Sequence, residues 1–93
     1  MILRPLTLGR VSGDNIIPIE TGLLGAVLVT ADGTNNATVQ IRENSATGRL
    51  IFDLVTKQPG FFGPFSVSAS GAKLLFYTIS GTAAAAQLYE YVD

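Results

Sequence analysis

Short apolar runs separated by turn residues set the pattern of this chain. In Thr38-Val39-Gln40-Ile41-Arg42 polarity alternates strictly. Successive strand side chains point to opposite faces, so Val39 and Ile41 are expected inside and Thr38, Gln40 and Arg42 outside. The same period over residues 49–55 places Leu50, Phe52 and Leu54 on one inward face. Ile51 and Val55 are left beside Asp53 on a second face that is too apolar for water. Residues 74–79 repeat the situation, with Leu75, Tyr77 and Ile79 opposite Leu74, Phe76 and Thr78. Strands that are apolar on both sides belong in the middle of something.

Turn residues divide the chain at Ser12-Gly13-Asp14-Asn15, Asp32-Gly33-Thr34-Asn35-Asn36, Asn44-Ser45-Ala46-Thr47-Gly48, Pro59-Gly60, Ser70-Gly71 and Ser80-Gly81. Between these breaks lie strand candidates at 4–11, 23–30, 38–43, 49–56, 61–69, 72–79 and 87–92, all rich in β-branched, leucine or aromatic residues. Ala83-Ala84-Ala85-Ala86-Gln87-Leu88 consists of good helix formers. The alternation of Tyr89-Glu90-Tyr91-Val92 after it favours a last strand over a helical turn. Pro5 donates no ladder bond, which confines the N-terminal segment, residues 1–8, to an edge strand or an extended arm. Asp32-Gly33 between two strand-like runs reads as a hairpin turn in preference to a calcium loop. The fold expected is all-β: one domain over residues 1–93, a small β-sandwich or jelly roll of about seven to eight short antiparallel strands.

Composition narrows the chemistry. Apolar residues make up 47% of the 93 and charged residues 14%, which is the composition of a chain that folds. Six Lys and Arg against seven Asp and Glu leave a net charge of -1. Arg42, Arg49, Lys57 and Lys73 are scattered, so no basic stripe is expected to meet nucleic acid. With no Cys and no His there is no thiol nucleophile, no imidazole base and no Cys- or His-ligated metal. No cofactor is expected, and catalysis would have to rest on carboxylates alone. Of these, Asp14, Glu20, Asp32, Glu43, Glu90 and Asp93 mostly sit in or beside turns. Asp53 lies mid-strand, where a solvent-facing or interface pairing role is expected. Gly22-Leu23-Leu24-Gly25 matches neither a dinucleotide fingerprint nor a phosphate loop. The N-terminus lacks the apolar stretch of a cleaved signal peptide, and no uncharged run is long enough for a membrane-spanning helix.

What remains is a surface problem. A domain this small buries only a little over about 60% of its unfolded surface, and two-sided apolar strands offer more than one sandwich can hide. Large exposed apolar patches mark interfaces. An obligate assembly is therefore expected, either a homo-oligomer or a subunit docked on a larger lattice. Aromatic residues concentrate in Phe61-Phe62-Gly63-Pro64-Phe65 and at Tyr77, Tyr89 and Tyr91. Phe62 and Phe65 are expected to plug the sandwich end. Ile2, Leu3, Pro5, Leu6, Phe61, Tyr89 and Tyr91 are the interaction candidates, with Phe61, Tyr89 and Tyr91 also able to stack on a sugar.

From Thr21-Gly22-Leu23-Leu24, through Ala37-Thr38-Val39-Gln40-Ile41-Arg42-Glu43-Asn44 and Ser45-Ala46-Thr47-Gly48, to Phe62-Gly63-Pro64-Phe65 and a Ser-Gly turn before the last two strands, the chain resembles small all-β virion proteins of tailed bacteriophages. These are capsid decoration or cement proteins and head-fibre bases. The resemblance implies a structural protein, not an enzyme, on the capsid surface of a virion made in the host cytoplasm. It implies a major capsid protein lattice as partner, a trimer as the favoured homo-oligomer, and no membrane. It carries over no site residues. The alternative is a tail-fibre, baseplate or carbohydrate-binding β-module.

Overall fold

The computed structural model describes residues 2–6, 9–69 and 71–92. Among them there is no helix. Nine strands form: β1 Ile2–Pro5, β2 Gly13–Pro18, β3 Leu23–Thr30, β4 Ala37–Glu43, β5 Leu50–Thr56, β6 Gly60–Phe62, β7 Val67–Ser68, β8 Leu74–Ser80 and β9 Ala85–Val92. They build two antiparallel sheets. One has the order β1-β9-β3-β6, with β7 also pairing β3, and the other has the order β2-β8-β4-β5. With β6 and β7 sharing one place, the pairs β1·β9, β2·β8, β3·β6/β7 and β4·β5 are nested like the two arms of one long hairpin. Alternate sections of that hairpin fall in opposite sheets, and β9·β3 and β8·β4 close each sheet. Eight strand positions wound in this way make a jelly roll.

The core lies between the sheets and follows the alternation. Val39, Ile41, Leu75, Tyr77 and Ile79 are buried from the four-stranded sheet, facing Leu24, Val27, Val29, Ala86 and Leu88 from the other. Phe62 and Phe65 pack against this core as expected, and Phe65 stacks on Phe52 with ring centroids 5.6 Å apart. The segment expected as one strand over 61–69 is split into β6 and β7 by Gly63-Pro64. Gly63 has φ 146°, and a Cβ there would lie 2.9 Å from that of Ala26. Only glycine lets the chain pass so close to β3.

Four expectations are corrected. Gly13-Asp14-Asn15 is not a break but the start of β2, which needs only Ile17 to face inward against Leu75; an exposed edge strand tolerates turn-prone residues. The strand expected over 4–11 stops at Pro5 and resumes only as a bridge between Val11 and Ala86, while Thr7 and Leu8 fall outside the described residues. Asp32-Gly33 does not close a hairpin, because β3 and β4 belong to different sheets. Its turn chemistry instead shapes a crossover, in which Asp32 Oδ1 accepts from the amides of Thr34 and Asn35 at 2.8 and 2.7 Å. These bonds hold the Asp32 carboxyl down at about 2.

The fourth correction concerns Leu50. Ile41 pairs with Phe52 but Arg42 pairs with Leu50, so Ile51 is an extra residue in β5. Such a bulge breaks the period of two. Ile51 joins Phe52 and Leu54 against the core, and Leu50 turns out to the surface. Toward the C-terminus, the alanine run enters β9 from Ala85, so the strand expected there forms and begins two residues earlier.

Candidate functional site

Directly opposed residues of an antiparallel pair place their side chains on the same face. On the outer face of the five-stranded sheet, Leu3 opposes Tyr91 and Pro5 opposes Tyr89. Tyr89 also opposes Ala26, and Leu28 opposes both Gln87 and Phe61. Leu3, Pro5, Leu28, Phe61, Tyr89 and Tyr91 therefore form one continuous apolar and aromatic face across four strands. Phe61 is 48% exposed and meets Tyr89 edge to face at 6.0 Å. The Tyr89 hydroxyl donates to Gln87 Oε1 at 3.2 Å, so the face has a polar spot at its centre.

Two local features hold this face in place. β3 bulges at Gly25, between Leu24 and Ala26, and a Cβ at Gly25 would run into Leu3 Cδ2 and come within 3.0 Å of the Tyr91 ring. The glycine is the hollow on which Leu3 and Tyr91 rest. Behind the face lies Glu90, which alternation turns inward and which is 1% exposed. Its carboxylate accepts from Arg4 Nη2 at 2.7 Å, the Thr21 amide at 3.0 Å, and the Glu20 amide and Thr21 hydroxyl at 3.1 Å. Burial pushes the Glu90 carboxyl up, but these hydrogen bonds outweigh it and hold the group below the ordinary carboxylate range. Arg4 also donates to Glu20 at 2.8 Å, and the pair of carboxylates raises its guanidinium further. The edge strand is thus fastened to the body of the sheet by charge as well as by its ladder.

Of the interaction candidates, the structure brings together Leu3, Pro5, Phe61, Tyr89 and Tyr91. Ile2 lies one residue away on the same edge strand, opposite Val92, and alternation turns it from Leu3's face; it is 63% exposed. Leu6 leaves the group: its amide donates to the Leu88 carbonyl at 2.7 Å and its side chain packs on the core. Leu28, Gly25 and the Arg4–Glu90 pair belong to the site but were not among the candidates. The signal for Glu90 is its place in Leu88-Tyr89-Glu90-Tyr91, where the period that puts both tyrosines outside puts the carboxylate inside.

The four-stranded sheet has an outer face of its own. Ile16 opposes Phe76, Phe76 opposes Arg42, and Arg42 opposes Leu50. Asp53 faces out, as expected of it, and accepts from Gln40 at 3.4 Å. Among the described residues, every buried side-chain nitrogen or oxygen has a hydrogen-bond partner. No pocket indents their surface, and no group of three or more Asp or Glu stands close enough to hold a metal ion. No protein-family model matches the chain, and no curated protein or solved structure matches it either.

Proposed function

We propose that this jelly roll is a structural subunit of a tailed-bacteriophage virion, a decoration or cement protein that stabilises the head by bridging neighbouring major capsid subunits. The observation that carries the reading is the face formed by Leu3, Pro5, Leu28, Phe61, Tyr89 and Tyr91. Tyrosines and phenylalanine clustered on a rigid sheet are what a protein interface uses as anchors. A homo-oligomer, with a trimer favoured, belongs to the same proposal, since closed symmetry hides such faces in regular assemblies. Jelly rolls serve in viral capsids and also in lectins. That is an analogy of fold, and the site must decide between them.

The second reading is a carbohydrate-binding module. It is favoured by the Tyr89 hydroxyl bound to Gln87 beside the exposed Phe61 ring, because sugars stack on aromatic rings and need polar groups at their edge. Co-sedimentation with undecorated heads of the phage that encodes the chain separates the two. On the structural reading the protein pellets with heads, and the pair Phe61→Ser and Tyr91→Ser abolishes pelleting while the thermal melt stays cooperative. Absence of pelleting, together with glycan binding lost on Tyr91→Ala, establishes the second reading instead.

A further inference from the structure

Among the described residues each sheet ends in two edge strands, and an edge strand can offer backbone groups to another strand. Three of the four edges here are blunted. β1 carries Arg4 and Pro5, and β2 ends at Pro18. The β6/β7 edge consists of three and two residues, interrupted by Gly63-Pro64. The fourth, β5, runs for seven residues, Leu50–Thr56, without Pro, Lys or Arg. Its bulge lies at Ile51, which leaves Phe52 to Thr56 as regular strand. On its outward side, next to the last residue of the strand, stands Val55, an apolar residue 57% exposed.

The neighbours of Val55 on that side are of opposite charge. Asp53 precedes it by two residues within β5, and Lys57 follows by two, one residue past the strand's end at Thr56; both are exposed. An antiparallel ladder with its two-fold axis at Val55 sets Asp53 of each copy opposite Lys57 of the other, and Val55 opposite Val55. Leu54 then opposes Thr56. Moving the two-fold axis two residues toward the N-terminus, a slip of the register by four, would set Asp53 against Asp53, which like-charge repulsion opposes. The row Asp53-Val55-Lys57 is complementary to its own reversal.

We infer that β5 pairs antiparallel with β5 of a second copy of this chain about a two-fold axis at Val55, joining the two four-stranded sheets edge to edge. The contact needs no capsid and does not rest on the function proposed above. Being two-fold, it links copies in pairs; it cannot close a three-fold ring.

The absence of cysteine allows a direct test in the full chain. Opposed residues in an antiparallel pair have Cβ atoms about 4.5–5.5 Å apart, near what a disulfide spans. Single-cysteine variants Val55→Cys and Ile16→Cys are oxidised under equal conditions, and the rate of disulfide-linked dimer is followed. Ile16, 49% exposed on another edge strand, reports random collision. Val55→Cys is expected to link roughly tenfold faster or more. Adding Lys57→Asp, which sets two like-charged pairs in the ladder, brings it to the control rate, and adding Asp53→Lys as well restores it. Equal rates for Val55→Cys and Ile16→Cys, or a Val55→Cys rate indifferent to Lys57→Asp, overturns the inference. Both cysteines replace exposed side chains, and a thermal melt of each reduced variant confirms that it folds.

Discussion

Arg4 and Glu90 are opposed across the β1·β9 ladder, and the guanidinium of the first donates to the buried carboxylate of the second at 2.7 Å. The pair ties the strand that supplies Leu3 and Pro5 to the strand that supplies Tyr89 and Tyr91. Removing one partner of a fully buried pair costs about 3–5 kcal/mol; here Glu90 is buried and Arg4 half-exposed, which discounts that range. Glu90→Ala is expected at about the lower end of that range, because Arg4 keeps Glu20 at 2.8 Å. Arg4→Ala is expected to cost less, since the Thr21 and Glu20 donors still serve the carboxylate. Urea unfolding of the two variants checks the order; an Arg4→Ala protein less stable than Glu90→Ala contradicts it.

Stability should fall in acid for a reason assignable to two residues. The folded-state pKa of Glu90 lies below its ordinary 4.5, and that of Asp32 falls from 3.8 to about 2. A carboxylate whose pKa is lowered by folding contributes its full stabilisation above the unfolded value. It loses that contribution as the pH drops through the folded value. Unfolding free energy is thus expected to be level above about pH 5 and to decline from there toward about pH 2. In Glu90→Gln the decline should be shallower. An identical acid slope in the variant and the parent contradicts the assignment.

Gly25→Ala tests how the aromatic face is seated. The added methyl meets Leu3 and the Tyr91 ring, and overpacking of this kind costs about 1–3 kcal/mol. Because the conflict is with the edge strand, amide exchange should rise in β1 before it rises in β3 or β8. Uniform exchange throughout the protein would show that the bulge does not act on the face.

Phe52→Ala removes the ring that stacks on Phe65 beside the core. A core Phe→Ala change costs about 3–5 kcal/mol. Phe52 is partly exposed, so about 3 kcal/mol is expected, a large share of the stability of so small a domain. A melting temperature equal to that of the parent would place the ring outside the packing.

Much of this architecture can be read from local pattern. Val39 and Ile41 alternate cleanly because β4 lies between two neighbours with one face on the core, and the tyrosines of β9 show their common face by spacing alone. Where pattern misleads, a longer-range constraint decides. Gly13-Asp14-Asn15 looks like a turn until β8 is there to pair with it. Leu50 looks buried until the β5 bulge shifts the phase by one residue. Asp32-Gly33 has hairpin chemistry, yet the strands it joins are claimed by β9 on one side and β8 on the other. The nested order of a jelly roll is set by pairings across most of the chain, which no local window contains. The same holds for the site: Tyr89 and Tyr91 are legible together, whereas the arrival of Leu3 and Pro5 beside them depends on the β1·β9 register.

The outer face of the five-stranded sheet as docking surface is the central claim, and hydroxyl-radical footprinting tests it most directly. The protein is labelled free and bound to undecorated heads, and modification is read residue by residue. Phe61, Tyr89 and Tyr91 are expected to lose most of their labelling on binding, while Ile16 and Phe76 on the opposite sheet keep theirs. Unchanged labelling of Phe61, Tyr89 and Tyr91, or protection confined to Ile16, Leu50 and Phe76, would contradict it.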